Sequence, residues 1–378
     1  MTVPFWHRPL TRKYQPARLA AGLTLAVALT GGAAAQTVTL FGLVDLAVEH
    51  VDKVGAAGAG LTRMPGLTGS MASRLGLRGS EDLGDGLRAV FTLEQGFTAD
   101  TGNLSQGGRG WGRQAWVGLA GPWGTVSLGR HYTMLFWSIL DADVMGPNVY
   151  GSGSLDAYIP NARTDNSVAF KGTWAGLTLG ATASLGRDAV NAGNPAGTHC
   201  AGEDANDKRA CREWSALAKV DASAWGAALA VDEIRGGAGA FAGLTRSALT
   251  DRRVSVNGYA RLGDAKGTLG LIRRDNGASA NAPRSDLWYA GIVYSAASAL
   301  TLEAQAFSLR FKGSGDGARL GVVRATYGLS RRTALYATAG RIANRGSLAL
   351  SVSAGAPGSN PVAGAAQSAL AAGLRHAF

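Results

Sequence analysis

Leu374-Arg375-His376-Ala377-Phe378 closes the chain. Leu374, His376 and Phe378 fall on one face of an extended segment, with Arg375 and Ala377 on the other. The termini of soluble domains usually fray in polar residues. A terminal strand whose last residue is a bulky aromatic suggests an edge that must pair and a wall that faces lipid. The same period of two runs through the chain from residue 37. Val38, Leu40, Gly42, Val44, Leu46 and Val48 alternate with Thr37, Thr39, Phe41, Leu43, Asp45 and Glu49. In Arg74-Leu75-Gly76-Leu77-Arg78 both leucines lie on one side and both arginines on the other. Leu300, Leu302, Ala304 and Ala306 oppose Thr301, Glu303 and Gln305, and Val323, Ala325, Tyr327 and Leu329 oppose Arg324 and Thr326. Alternation of this kind specifies strands with one face against an apolar medium.

The connections take turns between two lengths. Tight ones fall at 80–86, 121–124, 174–176, 264–267 and 330–332. Long ones fall at 52–70, 98–108, 133–164, 188–211, 236–250, 276–284 and 345–366. About sixteen strands lie between them, at 37–51, 71–80, 87–97, 109–120, 125–132, 165–173, 176–187, 212–222, 225–235, 251–263, 267–275, 285–296, 299–312, 317–329, 333–344 and 367–378. An even strand number with short turns at one end and long loops at the other is the pattern of an all-β transmembrane barrel. A bilayer tolerates no unpaired backbone group, so a sheet spans it only when closed. A tilted strand crosses in roughly 9–11 residues, and sixteen strands leave an aqueous lumen. A soluble repetitive β-structure is the competing reading; alternating loop lengths and the lack of a fixed short repeat count against it.

The first 35 residues read as an export signal. Arg8, Arg12, Lys13 and Arg18 precede an apolar run at 19–29, and Gly31-Gly32-Ala33-Ala34-Ala35 supplies small residues for cleavage before Gln36. The run is too short to cross a bilayer as a helix. Residues 36–378 then form the barrel domain. Those 35 residues carry four cations and no carboxylate, so the net charge of +11 falls to +7 on the remainder. Charged residues make up only 17% of the chain, as expected where one face of every strand must stay apolar. Cys200 and Cys211 flank a polar segment that reads as an exposed loop, and export to an oxidising compartment predicts a disulfide between them. A metal site on His199 and Cys200 lacks paired ligand spacing, and neither a metal nor a cofactor is expected. None of the five histidines sits in a Ser-His-acid or H-E-x-x-H pattern, which argues against an enzyme. The pI near 10.0 arises from basic residues dispersed through strands rather than gathered in a patch, which argues against nucleic acid.

Several blocks resemble the general bacterial porins of beta-proteobacteria. They are Leu40-Phe41-Gly42-Leu43-Val44-Asp45, Ser73-Arg74-Leu75-Gly76-Leu77-Arg78-Gly79-Ser80-Glu81-Asp82-Leu83-Gly84, Gly112-Arg113-Gln114-Ala115-Trp116-Val117-Gly118-Leu119, Gly124-Thr125-Val126-Ser127-Leu128-Gly129-Arg130, Asn166-Ser167-Val168-Ala169-Phe170 and Gly373-Leu374-Arg375-His376-Ala377-Phe378. The resemblance implies a homotrimer of 16-stranded barrels in the outer membrane, in contact with its lipid and lipopolysaccharide. It implies an inward-folded third loop at about 133–164. Arg74, Arg113 and Arg163 match the wall cluster at the constriction, with Arg78 and Arg130 as neighbours in the lumen. Asp141, Asp143 and Asp156 are the acidic candidates on the loop, which lacks the Pro-Glu-Phe-Gly-Gly motif of enterobacterial members. Phe378 resembles the terminal signal read by the barrel-assembly machinery. The function implied is a general diffusion channel for ions and small hydrophilic solutes. Three or more arginines against two or three aspartates would give weak anion selectivity. A channel specific for small anions or carboxylates is the alternative, because arginine suits anions through bidentate contacts.

Overall fold

The computed structural model describes residues 37–186, 188–189, 198–200, 202–238, 240, 243–280 and 283–378. The expected export segment and part of the loop at 188–211 lie outside them. Sixteen strands close one antiparallel barrel. In chain order they are β1 (Thr37–Val54), β2 (Arg74–Gly84), β3 (Leu87–Gly96), β4 (Gln114–Gly121), β5 (Gly124–Tyr132), β6 (Arg163–Trp174), β7 (Leu177–Ser184), β8 (Glu213–Asp221), β9 (Trp225–Arg235), β10 (Thr250–Leu262), β11 (Ala265–Asn276), β12 (Arg284–Ala297), β13 (Leu300–Phe311), β14 (Gly317–Gly328), β15 (Thr333–Arg345) and β16 (Ala366–Ala377). Each pairs with the next, and β16 returns to β1 from Leu43 opposite Ala377 to Val51 opposite Ala369.

The seam at β1 uses local devices to leave no open edge. Its other side pairs with β2 only from Thr37 to Leu43. Further along, Ala59–Arg63 of the first long loop adds a short strand beside Glu49–Val54. Between these stretches the Asp45 N–H donates to Ser73 Oγ, and the Met71 N–H donates to the Asp45 carboxylate. Phe378 completes the seam. Its N–H donates to the Gly42 carbonyl at 3.0 Å, and the Gly42 N–H donates back at 3.1 Å. The Phe378 ring covers Gly42 so closely that a Cβ there would lie 2.6 Å from it. Glycine at 42 is therefore a steric requirement of closure.

The largest boundary shifts fall on β2 and β4. β2 begins at Arg74 rather than 71 and continues to Gly84, because Asp85-Gly86, both at positive φ, form a two-residue turn tighter than the one expected at 80–86. β4 begins at Gln114 rather than 109. The preceding segment folds back on itself, and a Cβ on Gly112 would lie 2.6 Å from Gln106 Cβ.

Alternate residues on every strand divide between two media. Val38, Leu40, Val44 and Val48 of β1, Leu370 and Leu374 of β16, and Phe378 just past it are exposed on the outer wall. Trp214 and Trp288 lie near its long-loop end, and Tyr294 and Tyr327 near its short-turn end, as interfacial aromatics do on membrane barrels. The packed core is inside the barrel. The third long loop leaves β5, forms α1 (Met134–Ile139) and α2 (Ser152–Leu155), and rejoins the wall at β6. Ile139, Met145, Val149 and Tyr150 of this loop pack on Ile272, Leu287, Tyr289, Phe307, Leu309, Leu320 and Ile342, which point inward from β11 to β15.

Cys200 and Cys211 are joined in a disulfide with Cα atoms 5.2 Å apart. The polar segment between them is exposed at Glu203, Asp204, Ala205, Asn206, Lys208 and Arg209, as expected, while the two cysteines themselves turn inward. Both are buried with Ala210 and Ala240, and a side chain on Gly237 would meet Cys211 Sγ at 2.5 Å. The bridge is the small core by which the loop before β8 packs on the loop after β9.

Candidate functional site

A cavity of about 1210 Å³ opens around the third loop, lined by the inner faces of β2 to β6 and β16, by inward residues of β9 to β11 and β14, and by the loop at 345–366. On the wall side, strand parity brings Arg74, Glu94 and Arg375 inward at neighbouring positions, and Arg113 joins them where the chain enters β4. Arg113 Nε donates to Glu94 Oε1 at 2.8 Å, and Arg74 Nε lies 3.3 Å from the same oxygen. Gln114 donates to the other oxygen at 2.6 Å. Arg375 donates to Ser70 Oγ at 2.9 Å. Arg163 is only 1% exposed. Its guanidinium carbon stands 4.4 Å from the Tyr132 ring centroid, and the side chain donates to the Tyr132 hydroxyl at 2.7 Å and to the Arg113 carbonyl at 3.1 Å. Arg163 is thus a buried strut behind Arg113, whereas Arg74 keeps partial access to the cavity. Glu94 is the carboxylate that pairs with both Arg74 and Arg113, and no motif in the sequence singled it out. Arg375 was legible as an inward residue from the alternation of the last strand, although nothing there tied it to Arg74.

The other two expected lumen arginines take different places. Arg78 stands exposed on the inner wall with its guanidinium 5.5 Å from the Phe41 ring. Arg130 is buried, paired with Asp165 and donating to the Gly112 carbonyl at 2.8 Å. It is absent from the cavity lining.

All three loop aspartates turn away from the arginine wall. Asp141 meets Lys219 of β8 at 2.5 Å, and Lys219 also contacts Asp221 at 2.9 Å. Lys171 stands over the Trp137 ring at 4.0 Å near the same place. Asp143 is 3% exposed and accepts from Ser152 Oγ at 2.5 Å. Burial pushes its carboxyl up to about 7, against the smaller opposing effects of Ser152, Gln305 and Arg324. Asp156 accepts from Arg253 Nε at 2.8 Å. Burial would raise its carboxyl, but Arg253 and Arg274 outweigh that and hold it below the usual carboxylate range. Tyr158 donates to Asp232 at 3.0 Å, Met145 N–H to Gln305 at 2.7 Å, and Arg324 to the Val144 carbonyl at 3.3 Å. The loop's polar groups therefore bind it to the wall on which it rests. Seven arginines and four carboxylates line the cavity: Arg74, Arg113, Arg163, Arg253, Arg274, Arg324 and Arg375 against Glu94, Asp143, Asp156 and Asp251.

A closed sixteen-stranded barrel with a loop folded into a charged, water-accessible interior defines a transmembrane channel. Residues 22–347 match the family model of the Gram-negative porins, and the chain belongs to that family. It is 29% identical to outer membrane porin protein 32 of Delftia acidovorans over 374 residues, covering 94% of this chain and 99% of that one. A shorter match, 44% identical over 119 residues, relates it to an outer membrane porin protein of Bordetella pertussis, covering 28% of this chain and 31% of the relative. Among solved structures, the anion-selective porin from Comamonas acidovorans superposes with a TM-score of 0.75 at 23% identity, covering 91% of this chain and all of that one. OmpT of Vibrio cholerae in its trimer form gives 0.62 at 15% identity over 91% of this chain and all of that one. The protein is an outer-membrane diffusion channel and not an enzyme.

Proposed function

We propose that the channel is a general diffusion pore with a weak preference for anions, narrowed between the third loop and a wall carrying Arg74, Arg113 and Arg375. The carrying observation is the excess of arginine over carboxylate in the cavity lining. The sequence suggested a field running from wall arginines to loop aspartates. Asp141, Asp143 and Asp156 instead bind Lys219, Ser152 and Arg253. The wall cations then keep Glu94 as their near counter-charge, and the surplus positive potential falls on the passage. Rings of fixed charge set ion preference in this way, and the Comamonas porin of the same fold is anion-selective. Planar-bilayer recordings under a salt gradient test the reading. An anion-side reversal potential with no saturation by any single solute is expected, and a cation-side potential contradicts it. Block by one small carboxylate or phosphate at micromolar levels would instead establish the channel specific for anions.

The chain is assigned to a homotrimer, as supported by the trimer form of the Vibrio porin, lodged in outer-membrane lipid and lipopolysaccharide. Cleavage near Ala35 would release residues 36–378. Phe378 serves the barrel-assembly machinery as a terminal signal and locks the seam through Gly42. Deleting Phe378 should leave export intact and greatly reduce heat-modifiable barrel in the outer membrane. Normal barrel yield would remove this role.

A further inference from the structure

The outer wall over β13 to β15 carries a feature that permeation does not use. Arg310, Arg319 and Arg341 lie on the lipid-facing side near the long-loop ends of these strands, in line with the exposed Leu302, Val323 and Leu335 below them. Arg310 is opposite Gly317, two residues from Arg319, and Arg319 is opposite Ala343, two residues from Arg341. The three are successive diagonal neighbours, about 7–8 Å apart at the backbone.

On β9 to β12, and at Lys312 just past β13, outward cations are neutralised. Glu233 takes Arg235 and Arg252, Asp286 takes Arg273 and Lys312, and Asp275 takes Arg284. Among the described residues, Arg310 and Arg319 have no hydrogen-bond or ionic partner, and Arg341 bonds only to the Ser368 hydroxyl at 3.1 Å. Three adjacent like charges repel one another, and a shared anion would relieve that repulsion. Below them on the same wall is an apolar groove of about 850 Å³. Its floor is Ala304, Ala325, Ala337 and Ala339, and Leu302 and Leu370 line it as well. Ala306, Ser308 and Gly321 continue the low surface up to the arginines.

We infer that this face binds a phosphate-bearing lipid of the outer leaflet, with the phosphate across Arg310, Arg319 and Arg341 and an acyl chain in the alanine-floored groove. Arginine forms bidentate, charge-assisted hydrogen bonds with phosphate, and the groove below is flush enough for a hydrocarbon chain. The inference rests on the outer-membrane placement and gives the general lipid contact a position and a headgroup chemistry.

Native mass spectrometry of the full-length, signal-processed protein in detergent tests it, with bisphosphorylated lipid A as probe and dephosphorylated lipid A as control. The wild type should retain the bisphosphorylated lipid in preference to the control. The triple variant Arg310→Gln, Arg319→Gln, Arg341→Gln should lose affinity on the order of a hundredfold, since each basic residue at an anionic lipid surface contributes roughly fivefold. Single-channel conductance of the variant should match the wild type, because these side chains face away from the lumen. That conductance reports the pore reading separately from lipid binding. Equal retention of both lipids, or equal binding by wild type and variant, overturns the site. So does a wild-type oligomer that buries the groove, shown by a nitroxide at Ala339→Cys inaccessible to lipid-phase quencher.

Discussion

The inner walls of this barrel differ, and the difference explains where the loop lies. From β11 to β15 the inward face near the long-loop ends carries an apolar cluster of Ile272, Leu287, Tyr289, Phe307, Leu309, Leu320 and Ile342. From β2 to β4 the corresponding face and its entry carry Arg74, Glu94 and Arg113. An apolar side chain facing an aqueous lumen gains by being covered, at about 25 cal/mol per Å². The third loop supplies the cover with Ile139, Met145, Val149 and Tyr150. The arginine wall offers no such gain and remains open to solute. Selectivity thus follows from which half of the wall is greasy as much as from which half is charged.

Breaking the apolar side should have the largest effect. Phe307→Ala removes a buried ring from beneath the loop and should cost about 3–5 kcal/mol of docking. The expected readout is noisy, enlarged conductance from a barrel that still migrates as folded. Unchanged conductance would mean that the loop does not depend on this contact. Arg253→Gln comes next, because it leaves Asp156 and Asp251 without their shared cation. Removing one partner of a buried pair costs about 3 kcal/mol. Proteolysis of the loop in detergent should speed up, while Arg253→Lys should restore part of the protection. Asp143 gives the smallest effect. Its carboxyl is raised on burial, so its contribution to docking is fully present below about pH 4, its ordinary range. That contribution declines as the pH rises and is lost above about 7. Loop-opening events should therefore become more frequent between pH 5 and 8, and Asp143→Asn should flatten the profile. A wild-type profile already flat would place Asp143 outside loop control.

Much of this was legible from the sequence. Period-two alternation gave the strands, alternating loop lengths gave the barrel, and the resemblance to porins marked the third long loop as the one that folds inward. The last strand's parity set Phe378 outward and Arg375 inward. The partners of the loop aspartates were not legible. Asp156 and Arg253 are ninety-seven residues apart, and only closure of the barrel brings them together. Arg163 reads as a wall arginine, yet its burial depends on Tyr132 lying beneath it. Glu94 stands in an ordinary alternating strand, so its place between Arg74 and Arg113 appears only from the register of β2 with β3. The docking core escaped for a related reason. Inward apolar residues on a porin strand look like outward ones until parity is fixed by a neighbour.

The most direct measurement is the reversal potential of Arg74→Gln, Arg113→Gln beside the wild type in the same salt gradient. The arrangement of charges predicts an anion-side potential for the wild type and a clear displacement toward cations for the double variant, with conductance preserved. Identical reversal potentials would contradict the claim that these two arginines govern the passage.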